Sequence, residues 1–415
     1  MSEYDVVVVG ASIAGSTAAI LLGRAGLRVA LIERRTRLDD FKTLCTHHVM
    51  ACATPTIRRI GLDGAIEAAG GVRNGLNVYT PWGWVVTPPD TPHGYSIRRQ
   101  ILDPLLRRTA AETPGVELRL GQKAVALLSE PGGVRVRDGD GTEHEVRARL
   151  VVGADGAHSA VAALTGGRTR VVPNNRFMYF AEFTGVRLNS TGRTELWMHE
   201  PGISYAMPND GGVTVLATMP TKAELPSFRS DPEAGLLAAL RRLPDRPRFE
   251  PGSRVSKIIG ATDCPLVART AVPASNVVLI GDAALTSDPA QGVGCGWAFQ
   301  SAEWLADAIA PALLEGRSIE RALRRYEHQR RALNGHQATI EQEAKAEPPT
   351  PLDRLMLQAA AHDPKTAAHV LAYFNRTITL TSFLRPTALA RAACVRARDH
   401  IPRLPLRQAL PARSR

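Results

Sequence analysis

Four consecutive valines, Val6 to Val9, follow Tyr4-Asp5 and run into Gly10-Ala11-Ser12-Ile13-Ala14-Gly15. An unbroken β-branched run stopped by glycine predicts a strand buried on both faces, and the Ala- and Leu-rich stretch Ser16 to Ala25 predicts a helix packed on it. Val29-Ala30-Leu31-Ile32-Glu33 repeats the buried-strand pattern, so the chain opens with a βαβ unit. The same pattern returns at Leu150-Val151-Val152-Gly153-Ala154 and at Val277-Val278-Leu279-Ile280-Gly281-Asp282.

Between these landmarks the pattern is mixed. Pro55 to Ile60 predicts a short helix ended by Gly61, and Arg98 to Ala111 a longer one. Val116 to Leu120, Lys123 to Ser129, Val134 to Arg137 and Glu143 to Ala148 predict short strands. Gly75 to Ser96, with four prolines, predicts strands and turns, and the composition shifts again near Arg168. From Phe177 to Ala217, aromatic- and Met-rich strands broken by Pro201-Gly202 and Asn209-Asp210-Gly211-Gly212 predict an antiparallel sheet. Pro232 to Leu243 predicts a helix, Arg254 to Ile259 a strand, and Ala298 to Leu314 a helix with an apolar face. The chain then reads as helical to Ala393, with a break at Pro348 to Pro351. The resulting fold class is α/β with α+β character: a Rossmann-like domain (1–74, 97–167 and 270–340), an inserted β-sheet domain for substrate (75–96 and 168–269), and a C-terminal helical region with a basic tail (341–415).

The first turn carries chemistry. Gly10 allows a sharp turn, a small Ser12 lets backbone approach a pyrophosphate, and Gly15 lets helix and strand pack closely, while the helix N-terminus offers free N–H groups to an anion. Glu33, about 20 residues past the turn, is placed to accept hydrogen bonds from a ribose and disfavours a 2′-phosphate there. An adenine dinucleotide is the expected ligand.

A length of 415 residues suffices for two or three domains, and 44% hydrophobic with 22% charged residues is ordinary for a globular chain. The net charge of +11 is spread along the sequence and densest from Arg391 to Arg415, and only 5% of residues are aromatic, which argues against a nucleic-acid surface. Positive charge instead suits anionic ligands. Five scattered cysteines with no C-x-x-C pair argue against a zinc site or a disulfide scaffold and for a reducing compartment. No apolar run reaches membrane-spanning length and the first strand begins near Tyr4, so a cytoplasmic protein is expected. The oligomeric state is not readable.

Three stretches, in order, identify a family. The Gly10 turn, Gly153-Ala154-Asp155-Gly156-Ala157-His158-Ser159, and Gly281-Asp282-Ala283-Ala284 with Pro289, Gly292 and Gly294 after it resemble the single-component FAD-dependent monooxygenases built like para-hydroxybenzoate hydroxylase. The likeness spans about residues 4 to 330 and extends more loosely to geranylgeranyl reductases and flavin halogenases. It implies FAD held by Gly10, Ser12, Ile13, Ala14, Gly15, Glu33, Arg34, Arg99, Asp155, Asp282, Pro289, Gly292, Val293 and Gly294, with Asp282 on the ribitol chain, Arg99 (Arg98 being its rival) reaching the phosphates and the loop from Pro289 to Gly294 beside the flavin ring. Departures from the family pattern are Ala162 for an arginine, Leu285 for a histidine and Gly296 for an asparagine.

The resemblance also implies that NAD(P)H reduces FAD as a transient visitor, since a second Gly-rich βαβ unit is absent, and that O₂ then adds to the flavin and one oxygen passes to a small molecule. His47 and His48, in the loop that passes the flavin in relatives, are the candidate catalytic side chains; adjacent residues on a regular element cannot both face one site, and either is also readable as structural. The aromatic and Met residues of the sheet are readable as a pocket lining or as core, and Cys295 as a buried filler or a reactive thiol. No side-chain nucleophile or metal is expected. Two alternatives remain open: a reductase of prenyl or polyene chains, and a non-enzymatic binder like the GDP-dissociation inhibitors. The tryptophan signature of the halogenases is mimicked only by Trp82-Gly83-Trp84.

Overall fold

A computed structural model describes residues 3–129 and 132–399; the part of the basic tail beyond them lies outside the described residues. The N-terminal sheet runs in the order Val116–Leu120, Val29–Glu33, Tyr4–Val9, Glu143–Gly153, Gly133–Arg137, Lys123–Leu127, with Val277–Leu279 also pairing the long strand. Val9 is in parallel register with Ile32 and Gly153, and Gly153 with Leu279. Four strand ends therefore lie side by side on the carboxyl edge, where open α/β sheets bind ligands.

Two expected strands, Glu143 to Ala148 and Leu150 to Ala154, form one continuous strand of 11 residues. Its first half pairs antiparallel with Gly133–Arg137 and its second half parallel with Tyr4–Val9. Arg147 and Arg149, which interrupt the apolar pattern, are tolerated because their side chains reach the surface, to Glu145 and to Asp5. Ile13–Arg24 and Gly294–Leu314 cover one face of this sheet, burying Leu22, Leu31, Val152, Phe299 and Leu305 in one core.

The second sheet has the order Ile259–Ala261, Met178–Thr184, Val213–Met219, Gly202–Pro208, Thr194–His199, Leu76–Thr80, Gly83–Val85. Arg254 to Ile259 is not the expected strand: only an isolated bridge from Arg254 to Phe183 forms, and regular pairing begins at Ile259. Alternation sorts the aromatic and sulfur residues. Phe183 and Trp197 face the helix Pro232–Arg241, whereas Met178, Met198, Tyr205 and Met207 face the other way, into a core shared with Met356, Leu357, Val370 and Leu371 of the C-terminal helices. Those helices thus complete the sheet domain. Gly94–Ser96 leaves that sheet and pairs with His48–Val49 and Val72–Asn74, a small sheet that carries His48 to the junction of the layers.

Candidate active site

The Gly10 turn has the crowding its role requires. Gly10 has φ of +103°, and a Cβ there would lie 2.6 Å from the Ala154 carbonyl oxygen; a Cβ on Gly15 would lie 1.7 Å from that of Gly10. Ser12 begins the helix but its hydroxyl caps nothing: it accepts a hydrogen bond from Arg99 Nη2 at 2.6 Å. The opening N–H groups of the helix, at Ile13, Ala14 and Gly15, therefore have no side-chain cap competing for them. Glu33 is 3% exposed, and its carboxylate accepts the backbone N–H groups of Ala11 at 2.8 Å and Arg35 at 3.0 Å. Arg34, beyond it, is exposed.

Arg99 is buried and paired with Asp103, so it reaches the turn through Ser12. Asp103 also accepts the Lys42 N–H at 3.0 Å. A residue the sequence reading overlooked, Arg107, is fully buried and donates to the carbonyls of Ala11 at 3.0 Å and of Leu38; its Nη2 is buried without a partner. The signal was present, since Arg99, Asp103 and Arg107 recur every fourth residue on one helix face.

The other two motifs converge on this turn. Gly281 has φ of +55°, and a Cβ there would meet Ala14 Cβ at 2.9 Å, which seats the Asp282 turn against the start of the first helix. Arg269, also overlooked, ties the last two motifs together by donating to the carbonyls of Ala157 at 2.6 Å and Ala283 at 3.0 Å. Asp155 is partly buried, and its carboxylate accepts Ser159 Oγ and the N–H groups of Ala160 and Val161 at the start of its own helix. Asp282 keeps 26% of its side chain exposed and accepts Lys42 Nζ at 3.1 Å. Pro289–Gln291 forms a single turn capped by Asp288, Gly292 follows with φ of +59°, and the long helix begins at Gly294, four residues before its apolar face predicts. Val293 is 1% exposed and plugs the core beneath.

These residues fit FAD: a backbone cradle with no room for a Cβ, free helix N–H groups for a pyrophosphate, a partly exposed carboxylate at Asp282 and a buried guanidinium with one unpartnered nitrogen. Beside the Gly292 loop lies a pocket lined by Thr194, Leu196 and Met198 of one strand, Ile203, Tyr205 and Met207 of the next, and His48, Met50, Gln291, Glu343 and Phe374.

His47 has φ of +65°, a left-handed conformation uncommon for a side chain of its kind, and this twist sends the two imidazoles apart. His47 Nδ1 accepts the Arg99 N–H at 3.1 Å, and Nε2 lies 3.6 Å from Glu182. Burial disfavours the imidazolium there, but Cys45 and Glu182 outweigh it and raise the His47 pKa to about 9, whereas the Arg99 N–H aimed at Nδ1 favours the neutral ring with its proton on Nε2. His48 Nδ1 accepts from Asn74 at 3.1 Å, and its ring lies 3.3 Å from where a Gly292 Cβ would stand. Burial lowers the His48 pKa to about 4, so the ring is neutral and turns an N–H toward the pocket. The polar end of the pocket comes from residues no motif announced. Burial pushes Glu343 up to about 7; it accepts from Gln291, whose Oε1 accepts Arg376 Nη2 at 2.7 Å. The Tyr205 hydroxyl is buried with no protein partner. Among the described residues no cluster suited to a metal ion occurs, and no helix is long and apolar enough to cross a membrane.

Comparison with known proteins places the chain among FAD-binding proteins. A family model described as FAD binding domain matches residues 3–237. Digeranylgeranylglycerophospholipid reductase 2 of Methanococcoides burtonii is 28% identical over 359 residues, covering 80% of this chain and 81% of the relative. The 3-(3-hydroxy-phenyl)propionate/3-hydroxycinnamic acid hydroxylase of Comamonas testosteroni is 26% identical over 346 residues, which are 79% of this chain and 56% of that enzyme. Of solved structures, p-nitrophenol 4-monooxygenase PnpA of Pseudomonas putida superposes with a TM-score of 0.71 at 20% identity, covering 92% of this chain and all of that one. A flavin-dependent brominase gives 0.74 at 19%, covering 95% and 99%. The chain belongs to the family of flavoprotein oxidoreductases built on this FAD binding domain.

Proposed function

We propose that the protein is an FAD-dependent monooxygenase that hydroxylates or epoxidises an apolar or aromatic small molecule, with NAD(P)H as a reductant that binds transiently and O₂ as co-substrate. The observation that carries this reading is the pocket: walls of Leu196, Met198, Ile203 and Met207 end at Gly292, on the loop the family uses beside the flavin ring. Bound FAD would supply the electron transfer and the activation of O₂.

The chain's own residues supply the rest. The Gly10 turn and the helix start at Ile13 would hold the pyrophosphate, Glu33 the adenosine ribose and Asp282 the ribitol, with Lys42 releasing Asp282 or sharing it. Neutral His48 offers an N–H at the flavin end of the pocket, where it orients a substrate oxygen without introducing a charge. The apolar walls keep water from the reacting atoms. The unpartnered Tyr205 hydroxyl and Glu343 form a second polar point, suited to one hydrogen-bonding group on an otherwise apolar molecule.

A second reading has its own support. Matches to digeranylgeranylglycerophospholipid reductases cover 80% of the chain, and the same apolar walls suit a prenyl chain. Turnover with NAD(P)H and isotopically labelled O₂ separates the two: label in the product supports oxygenation, while saturation of a prenyl substrate without O₂ supports reduction. A purified protein that binds no FAD would overturn both.

A further inference from the structure

We propose that Cys45 and Cys295 form a peroxide-reactive dithiol, whose oxidation to a disulfide ties the loop of residues 34–47 to the first turn of the helix Gly294–Leu314. The two sulfurs lie 4.0 Å apart, although 250 positions separate them in sequence. Both cysteines are partly accessible. Cys52, by contrast, is buried, its sulfur 2.8 Å from where a Cβ on Gly296 would stand.

The setting of the pair suits oxidation. Cys45 Sγ accepts the His47 backbone N–H at 3.3 Å and has Arg99 Nη1 at 3.9 Å. Cys295 is the second residue of its helix, where the unsatisfied N–H groups favour negative charge. Hydrogen bonding from the Cys295 thiol, with Arg99 and His47 nearby, holds Cys45 well below the usual thiol range, and the same contact pushes Cys295 up. The attacking sulfur and the resolving thiol are thus distinguished by their surroundings.

The chemistry balances with hydrogen peroxide as the oxidant. The Cys45 thiolate attacks one peroxide oxygen, the O–O bond breaks, hydroxide leaves, and Cys45 becomes a sulfenic acid. The Cys295 sulfur then attacks Cys45, the S–O bond breaks, and the oxygen leaves as water with the thiol proton. Two thiols and one peroxide give one disulfide and two waters, the sulfurs losing the two electrons the peroxide gains. A dithiol reductant reverses the reaction by exchange.

The bond would close the loop over the dinucleotide cradle. Lys42, three residues before Cys45, holds Asp282 and, through its backbone, Asp103, while Cys295 follows Gly294, beside Asp282. A covalent link between these segments restricts the loop's opening, so bound FAD should leave more slowly from the oxidised protein.

The test uses the FAD-loaded full chain exposed to limiting hydrogen peroxide, with peptide mapping of thiols and cross-links and with the exposed Cys394 as internal standard. Cys45 should react at least about tenfold faster than Cys394, as its thiolate character dictates. The product should be a Cys45–Cys295 cross-link, lost on treatment with dithiothreitol. Cys295→Ser should leave a trappable sulfenic acid at Cys45, and Cys45→Ser should leave Cys295 unreacted. FAD release, followed by the recovery of flavin fluorescence, should be slower in the oxidised protein and equal in both states of Cys295→Ser. Cys394 reacting first, or a Cys45 that over-oxidises with Cys295 still free, would overturn the proposal; an unchanged release rate would overturn the closing of the loop. None of these readouts depends on which substrate the flavin serves.

Discussion

Gly15→Ala tests whether the Gly10 turn is the cofactor cradle. The new Cβ would stand 1.7 Å from the Gly10 carbonyl oxygen and 3.2 Å from Ala154 Cβ. Backbone surrounds it, so no side chain can swing aside. Restoring ordinary contact requires the start of the helix Ile13–Arg24 to retreat from the strand by about 1.5 Å or more. Overpacking of this kind costs about 1–3 kcal/mol of stability. The retreat also takes the N–H groups of Ile13 and Ala14 out of hydrogen-bond reach of a pyrophosphate bound to the native turn. Each charge-assisted bond lost is worth about 1.5–3 kcal/mol, so FAD affinity should fall by about tenfold to a hundredfold per bond. Flavin fluorescence titration of the apoprotein measures the affinity, and thermal melting with and without FAD measures the linkage. Gly64→Ala is the control: it is exposed, helical, and a Cβ there meets nothing within 4 Å, so it should stabilise by about 0.5–1 kcal/mol and leave FAD binding unchanged. An alanine at 15 that binds FAD within about threefold of wild type would refute the placement of the cofactor on this turn.

Other perturbations probe the pocket and the sheet. The folded pKa of His48 is about 4 against an ordinary 6.5, so its contribution to stability is fully present above pH 6.5 and is lost as pH falls through 4. The shift corresponds to about 3 kcal/mol, and urea unfolding of wild type should therefore lose more stability between pH 7.5 and 4 than that of His48→Gln. Glu343 has the opposite sign: its folded pKa is raised to about 7, so its contribution is present below pH 4.5 and lost as pH rises through 7. Over the same interval the affinity for a carboxylate-bearing ligand should fall, measured by perturbation of the flavin spectrum, and Glu343→Gln should flatten that dependence. Trp197 is fully buried, packs edge-on to Trp84 at 5.6 Å and donates Nε1–H to the Pro244 carbonyl at 2.8 Å; Trp197→Ala should cost about 3–5 kcal/mol in chemical denaturation while sparing FAD binding.

Much of the candidate cradle's backbone was legible because its parts are local. A run such as Val6 to Val9 followed by Gly10 and Gly15 encodes strand, turn and helix within about twenty residues, and each glycine answers a steric demand visible in the turn itself. The Asp282 segment was legible for the same reason. Side-chain alternation could say that half the residues of Thr194–His199 and Gly202–Pro208 face one way, but not which half meets a pocket and which meets Pro232–Arg241.

What only the tertiary structure decided are the meetings between distant segments. Arg107 under Ala11, Lys42 on Asp282, Cys45 against Cys295, and the chain Arg376, Gln291, Glu343 each join residues whose neighbours in sequence carry no sign of the partner. The two histidines show the division most plainly. Their adjacency predicts that they diverge, yet the left-handed backbone at His47 and the register of His48 with Ser96 determine which one reaches the Gly292 loop. Local sequence sets short-range backbone preferences, whereas the position of a side chain relative to a ligand depends on how separate layers pack, a sum over contacts that no single segment contains.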